Sequence, residues 1–314
     1  MNSEIPEIPA RPELGTVVVG VDGSPAARTA VLWAAAEADR RGRPLRLVHA
    51  ADTDRRALFY ADGEAIQAVR EAGRDLLIET ADAVRERFPG LDVTRELSRQ
   101  EPVAGLKAAG GNRGTIVVGS RGLGGFAALM LGSVGLGVAG HAEVPVIVVR
   151  PDGESAGTGS VTAAVHGADD LGWLLLAAAE ADARKAALRL VSVWNVLARI
   201  GSARQHEHEV EALADRVREV YPQLTVEHRV ETGTSTPGIL VEASGHTDLI
   251  VMGRGHRALG VGPALGRVAH SLIHHAHCPV EIVPPSFVTR ADVTRADVTQ
   301  SGETQDGETQ DGET

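Results

Sequence analysis

The stretch Thr115-Ile-Val-Val-Gly119-Ser-Arg-Gly122, followed after nine further residues by Gly132-Ser133-Val134, decides the fold of this 314-residue chain. Residues 115–118 predict a buried strand and residues from 132 onward predict the start of a helix, so the glycines lie in a loop that joins strand to helix. Glycine permits backbone angles and a close ligand approach that a Cβ would block, and the first amides of a helix attract anions. Because Ser133 adds a hydroxyl donor, the spacing predicts a binding site for the phosphates of a nucleotide.

The spacing G-x2-G-x9-G-[S/T] resembles the motif of the ATP-binding universal stress proteins, and the resemblance covers nearly the whole chain. Residues 17–21 with Asp22 resemble the family's first strand, residues 45–50 its second, and residues 141–149 the end of its last helix with its fifth strand. The resemblance implies ATP as the ligand, with the nucleoside contacted by Asp22 and by the backbone of Ala50. The residues that it places on ribose and phosphates are Gly119, Arg121, Gly122, Gly132, Ser133 and Val134. For Arg121, a solvated side chain is an equal alternative.

The chain repeats itself once. Pro145-Val146 recurs 134 positions later as Pro279-Val280, and Glu37-Ala-Asp39 recurs 143 positions later as Glu180-Ala-Asp182. The offsets differ because the second unit has a shorter loop, where length changes are tolerated. Each unit of about 130 residues is large enough for its own core. We therefore expect two domains of the same family, an intact one and a degenerate one, at residues 15–151 and 152–286.

Each unit alternates apolar strands with amphipathic helices, which predicts an α/β fold with a parallel sheet covered on both faces. Right-handed crossovers make this a five-stranded doubly wound sheet of Rossmann-like type, similar to the adenine nucleotide alpha hydrolase-like fold, with ligands bound beyond the carboxyl ends of the strands. Residues 146–149 and 280–283 are edge strands in this topology, and exposed edges seek partners. We expect them to meet, so that the halves form a pseudo-dimer within one chain; a homodimer of chains is left open.

Two terminal segments lack a core pattern. Residues 1–14 read as a flexible arm rather than a signal peptide, because they have no basic start followed by an apolar run. Residues 287–314 repeat Thr-Arg-Ala-Asp-Val and then Thr-Gln-Asp-Gly-Glu, a composition that predicts a disordered acidic tail.

Composition excludes several classes of function. The net charge of −11 argues against nucleic acid as a main partner, because phosphate backbones require clustered basic residues. Neither of the two lysines, Lys107 and Lys185, lies in a Walker-type loop. No apolar run approaches the ~20 residues that a membrane helix needs. The single cysteine, Cys278, fits a reducing cytosol and is expected to be buried and inert, with a redox sensor as the alternative.

The second unit departs from the motif at three positions: His166 replaces Asp22, His256 replaces Gly122, and Arg267 replaces Ser133. We expect a degenerate site there, with anion binding by His256 and Arg267 as the rival interpretation. Ten of the twelve histidines lie beyond residue 150. Among them, His270 and His274 have the helical spacing of a metal pair, but a structural role is favoured and no metal site is predicted. His206 and His208 are expected on a solvated helix face.

For function, the sequence favours a cytosolic stress-response protein in which bound ATP changes the surface seen by an unidentified regulatory protein partner. We expect no enzyme, because no acid/base pair or nucleophile with its base flanks the Gly119 loop. The alternatives are a weak ATP-hydrolysing or ATP-using enzyme of the same fold class and a scaffold without a ligand.

Overall fold

The computed structural model describes residues 12, 14–54, 63–120, 132–150, 157–196, 202–255, 264–285 and 287. The first half alternates strands and helices from its first strand to its last: β1 Val17–Gly20, α1 Pro25–Arg40, β2 Leu45–Ala50, α2 Gly63–Arg87, β3 Val93–Ser98, α3 Pro102–Gly110, β4 Thr115–Gly119, α4 Ser133–His141 and β5 Val146–Val149. The second half repeats the order: β6 Ser160–Ala164, α5 Leu171–Arg184, β7 Ala187–Asn195, α6 Ala203–Val220, β8 Val226–Gly233, α7 Thr236–Ala243, β9 Leu249–Gly253, α8 Arg267–His275 and β10 Val280–Val283.

Local sequence sets where several helices begin. Ser24 accepts a hydrogen bond from Ala27 N at 3.1 Å, and Pro25 occupies the first position of α1. The Glu101 carboxylate accepts from Ala104 N at 2.8 Å, with Pro102 next, at the start of α3. A side chain at the N-cap satisfies an amide that has no partner inside the helix, and proline suits the first turn.

All ten strands form one sheet in the order β3-β2-β1-β4-β5-β10-β9-β6-β7-β8. Pairing is parallel within each half, while β5 and β10 pair antiparallel, with Val148 opposite Val280 and Ile147 opposite Glu281. The expected five-stranded parallel sheets and their pairing as a pseudo-dimer are therefore confirmed. Strand order reverses beside β1 in the first half, between β1 and β4, and a ligand crevice is expected at such a switch point.

The apolar core crosses the seam between β5 and β10. Val146 and Val148 belong to the same buried cluster as Val280 and Ile282, and all four are about 1% exposed. Burial of apolar surface is the main favourable term in folding. The two halves therefore share one face of their core and stabilise each other directly.

On the other face, α1 and α5 meet through buried ion pairs. Glu37 of α1 and Arg41, which directly follows α1, stand 143 positions before Glu180 and Arg184 of α5. Arg184 lies 2.6 Å from the Glu37 carboxylate, Arg41 pairs with both Glu37 and Glu180, and the four side chains are 1–8% exposed. Burial raises the pKa of Glu180, but Arg41 and Arg184 outweigh it and hold that pKa at about 2.

A third carboxyl group lies against these ion pairs without a repeat-related counterpart. Glu281 of β10 is fully buried, opposite the apolar Ile147, and neither carboxyl oxygen has a hydrogen-bond partner among the described residues. Burial and the nearby Glu180 carboxylate raise the pKa of Glu281 well above its usual range. The folded environment of this carboxyl group therefore favours its neutral, protonated form.

Several sequence expectations about individual residues can now be compared with the fold. The expectation that His206 lies on a solvated face is wrong: its residue is 2% exposed, and Nε2 lies 2.8 Å from Ser192 Oγ. The reason is helical spacing, because His206 precedes Val210, Leu213 and Val217 on the buried stripe of α6. His208, on the same helix, is exposed as expected.

Cys278 is 2% exposed, and burial raises the pKa of its thiol to about 12, as expected of an inert cysteine. His270 and His274 stack with ring centroids 4.3 Å apart, but no group of three metal-ligating side chains occurs in the part of the chain that the structure describes.

Phe287, assigned to the tail, is 5% exposed in the core, so the tail can begin no earlier than residue 288. The rest of the tail and residues 1–11 of the arm lie outside the described residues. Within the described ranges, no helix is long and apolar enough to span a membrane.

Candidate functional site

The candidate site lies at the carboxyl ends of β1, β2 and β4. Gly20 pairs with Val48 and Val19 with Val117, so the continuing register brings Asp22 level with Ala50 on one side and with Ser120 on the other. Three of the predicted segments thus reach one edge of the sheet, at the switch point between β1 and β4.

The turn after β1 fixes the position of Asp22. Its Oδ1 accepts a hydrogen bond from Ser24 N at 2.9 Å, and Gly23 has φ +81°, a conformation that favours glycine. Ser24 in turn caps α1, so the turn is held from both sides. The Asp22 side chain is partly exposed, which leaves it accessible from the crevice.

His49 supports the neighbouring strand end and was not identified from the sequence. Its Nδ1 lies 2.7 Å from Val21 O, which joins the end of β2 to the residue before Asp22. On the other side, a Cβ added to Gly73 of α2 would stand 2.6 Å from the His49 ring. The imidazole therefore fills the space between β2 and α2 directly beside Ala50. In the sequence, the only indication of this role was the position of His49 next to Ala50 at the end of a predicted strand.

The loop predicted to bind phosphate begins where β4 ends. A Cβ at Gly119 would lie 2.7 Å from the Ala26 carbonyl group and 3.0 Å from Ala27 N, so this glycine allows the first turn of α1 to pack against β4. Gly132 N donates to Ser120 O at 2.9 Å, and this hydrogen bond closes the base of the loop. Arg121 and Gly122 lie outside the described residues.

Helix α4 begins at this closure. Its N-cap, Gly132, has no side-chain hydrogen bond, whereas α1 and α3 of the same half are capped by Ser24 and Glu101. The φ of Gly132 is −72°, which any residue adopts, so the expectation that the loop needs glycine for its angles is wrong at this position. The remaining reason for a glycine at this position is that it would let a ligand approach the backbone closely. Ser133 is exposed and Val134 is partly exposed, and amides in the first turn of a helix have no partner within the helix.

In the second half, a side chain packs against the glycine that is equivalent to Gly119. A Cβ at Gly253 would lie 2.6 Å from Nε1 of Trp173, a residue that stands where the first half has Ala30. Trp173 Nε1 donates to Asp170 Oδ1 at 2.8 Å, and Asp170 Oδ2 accepts from the backbone of His166 at 2.5 Å and of Gly167 at 3.1 Å. The exchange of alanine for tryptophan between the repeats was the signal that sequence reasoning missed.

Two of the three substituted positions of the second half lie within the described residues. His166 is exposed, and Arg267 is exposed at the start of α8, whose N-cap Gly266 also lacks a side-chain hydrogen bond. His256 lies outside the described residues. The two halves thus share a backbone frame but differ at it: the first half has an accessible carboxylate, and the second has an exposed histidine at that position with a buried indole, held by an aspartate, packed against Gly253.

Comparison with known proteins agrees with this geometry. A family model described as "Universal stress protein family" matches residues 13–150 and 161–284. Universal stress protein Rv2624c of Mycobacterium tuberculosis is 30% identical over 87% of this chain and 97% of its own length. A universal stress protein of Mycolicibacterium smegmatis is 39% identical, but the match spans only 43% of this chain and 45% of that protein.

Among solved structures, a universal stress protein from Archaeoglobus fulgidus superposes with a TM-score of 0.63 over 86% of this chain and 98% of its own, at 15% identity. Identity this low supports the fold alone. Both halves of the chain take part in this superposition, so the tandem arrangement is shared.

Proposed function

The chain belongs to the universal stress protein family, and from this premise we propose that it is a cytosolic stress-response regulatory protein that binds ATP in its first half. The observation that carries the proposal is the accessible start of α4, which has no side-chain cap and stands at the switch point beside Asp22. Amides at a helix N-terminus attract anions and are otherwise left without partners.

Each group at the site has a plausible partner on ATP. The amides of Ser133 and Val134, with the Ser133 hydroxyl, donate to phosphate oxygens, and Gly132 leaves room for the phosphate chain. Asp22 is an acceptor and suits a ribose hydroxyl or an adenine amino group, while the Ala50 backbone borders the base. Hydrogen bonds to charged groups contribute ~1.5–3 kcal/mol each, so loss of two such bonds would move a micromolar site toward millimolar affinity.

The second half is proposed to bind no nucleotide of its own. The Trp173 indole packs against the end of β9, and the Asp170 carboxylate accepts hydrogen bonds from the backbone amides of His166 and Gly167. A ligand there would have to displace a side chain that is 7% exposed. Large buried aromatic side chains contribute several kcal/mol to stability, so displacement is unfavourable. One ATP per chain is the expected stoichiometry.

Binding rather than catalysis follows from the position of Asp22. This carboxylate lies at the nucleoside side of the crevice and accepts a hydrogen bond from Ser24, so it holds the turn rather than a water molecule at the terminal phosphate. A general base must reach the proton that it removes. Regulation then comes from occupancy, which changes the surface around α4 that a protein partner contacts.

Mass spectrometry of small molecules released from freshly purified protein tests the proposal. We expect ATP at close to one equivalent per chain, and no release of phosphate when the sample is incubated with magnesium. Another nucleotide would correct the ligand, whereas the absence of any nucleotide, together with no binding of added ATP, would refute the proposal.

A further inference from the structure

Helix α4, which carries the proposed phosphate site, has an unusually weak sequence for a helix. Its nine residues include three glycines, at positions 135, 137 and 140, whereas the equivalent helix α8 of the second half has none. Glycine lowers helix stability relative to alanine at every interior position, and a helix of this length is marginal without tertiary contacts. The presentation of the Ser133 and Val134 amides therefore depends on what holds α4 in place.

The second half supplies contacts at the opposite end of α4. The Arg254 guanidinium donates through Nη1 to Ala142 O at 2.7 Å and to Ala139 O at 3.3 Å, the last carbonyl groups of the helix. A Cβ at Gly140 would lie 2.7 Å from the Cβ of Ala264, so this glycine lets the second half approach α4 closely. A cation at a helix C-terminus satisfies carbonyl groups without partners and interacts favourably with the helix dipole.

The backbone fixes Arg254 at this point. It directly follows β9, and its N–H donates to Val283 O at 2.7 Å, just as Ser120 N donates to Val149 O at 2.8 Å in the first half. Where the first half has the small, buried Ser120, the second half has an arginine long enough to reach across the seam between β5 and β10. The position is therefore equivalent, but the function of the side chain is not.

A contact in the opposite direction, from the first half to the second, exists as well. Arg150 directly follows β5, and its Nη1 donates to His274 O in the last turn of α8. Each half thus uses an arginine after a strand to hold the C-terminal end of the other half's last helix. Only one of these two helices, α4, leads to the proposed nucleotide site, which makes Arg150 a matched control for Arg254.

We propose that Arg254 of the second half is a positioning residue for the nucleotide site of the first half, acting through α4. This inference rests on the proposed function, and it gives the degenerate half a role: it holds the glycine-rich helix in the conformation that receives phosphate. Without the contact, fewer molecules present a formed first turn at Ser133. The apparent dissociation constant then rises by the inverse of the competent fraction.

The experiment compares full-length wild type with Arg254→Met, Arg254→Lys and Arg150→Met. Two measurements are made on each protein: calorimetric titration with ATP, and hydrogen exchange of the α4 and α8 amides without ligand. We expect Arg254→Met to weaken ATP binding about tenfold, which corresponds to ~1.4 kcal/mol, and to speed exchange in residues 133–141. Arg254→Lys still offers a donor and should recover part of the affinity. Arg150→Met should speed exchange in residues 267–275 and leave ATP affinity within about twofold.

Each outcome decides the inference. Unchanged exchange in α4, or equal loss of ATP affinity in Arg254→Met and Arg150→Met, would overturn it. If Arg254→Met fails to fold, Arg254→Lys provides the same two measurements. A wild type that binds no ATP refutes the proposed function, while the exchange data still show whether Arg254 holds α4.

Discussion

Replacement of Glu281 by glutamine tests whether the carboxyl group of this residue, at the seam between β5 and β10, is neutral in the folded protein. The charged groups that act on Glu281 include Arg41 and Arg184, the carboxylates of Glu37 and Glu180 with which these two arginines already pair, and Arg43. Neither oxygen of Glu281 has a hydrogen-bond partner among the described residues, and an ion without a partner in such a site costs several kcal/mol. Glutamine has nearly the shape of the protonated acid but cannot ionise. We therefore expect Glu281→Gln to fold and to be more stable than wild type at neutral pH.

The direction and size of the pH effect on stability follow from the linkage between protonation and folding. Because the folded pKa of Glu281 lies above the unfolded value of about 4.3, its contribution to stability is complete below that value and is lost as pH rises toward the folded pKa. In that window unfolding releases one proton, so the free energy of unfolding of wild type falls by ~1.4 kcal/mol per pH unit relative to the variant. The difference in stability between the two proteins should therefore widen as pH rises above about 4.3 and should level off once pH passes the folded pKa.

The assay is thermal unfolding of both proteins at pH 5.5, 6.5 and 7.5 in one buffer system. Glu211→Gln, at an exposed position of α6, is the control and should follow wild type at each pH. A difference between Glu281→Gln and wild type that stays constant, or that shrinks as pH rises, would show that Glu281 is ionised in the folded protein. The description of the seam would then be wrong.

Two further predictions concern the C-terminal tail of the chain and the buried His206. Deletion of residues 289–314 should leave Tm and ATP affinity unchanged, because the repeats offer no apolar face; a clear drop in either would show that the tail docks. His206→Ala should lower the free energy of unfolding by about 2–3 kcal/mol, since it leaves a cavity and a buried Ser192 hydroxyl, while His208→Ala should stay within about 0.5 kcal/mol. Equal effects in denaturant titrations would contradict the assigned burial.

The sequence was sufficient to predict the fold because both halves repeat the same apolar strands. Residues 146–149 and 280–283 could be recognised as edges from topology alone, and an exposed edge strand rich in apolar residues has to be covered. The same repeat predicted where Asp22 and Gly119 meet. These features depend on periodicity and strand order, which a single sequence contains.

Side-chain contacts across the fold could not be predicted in this way. Glu281 lies in an apolar strand, where a lone acid normally indicates a solvent-facing position, and its burial depends on α1 and α5 covering the seam. Trp173 fills the second site only because it comes close to Gly253 in space. For Gly119 the motif indicated ligand approach, but the structure adds a second reason, the close packing of α1 on β4.

The central claim, one ATP held at the start of α4, is tested most directly by calorimetric titration of wild type, Gly132→Val and Gly266→Val. Both glycines are N-caps with extended backbone angles, φ −72° and −68°, so valine is compatible with either backbone. A Cβ at Gly266 meets nothing within 4 Å. The account predicts one tight ATP per chain in wild type and in Gly266→Val, and loss of binding in Gly132→Val, where the side chain takes the space of a phosphate. Two tight sites per chain, or equal damage in both variants, would contradict it.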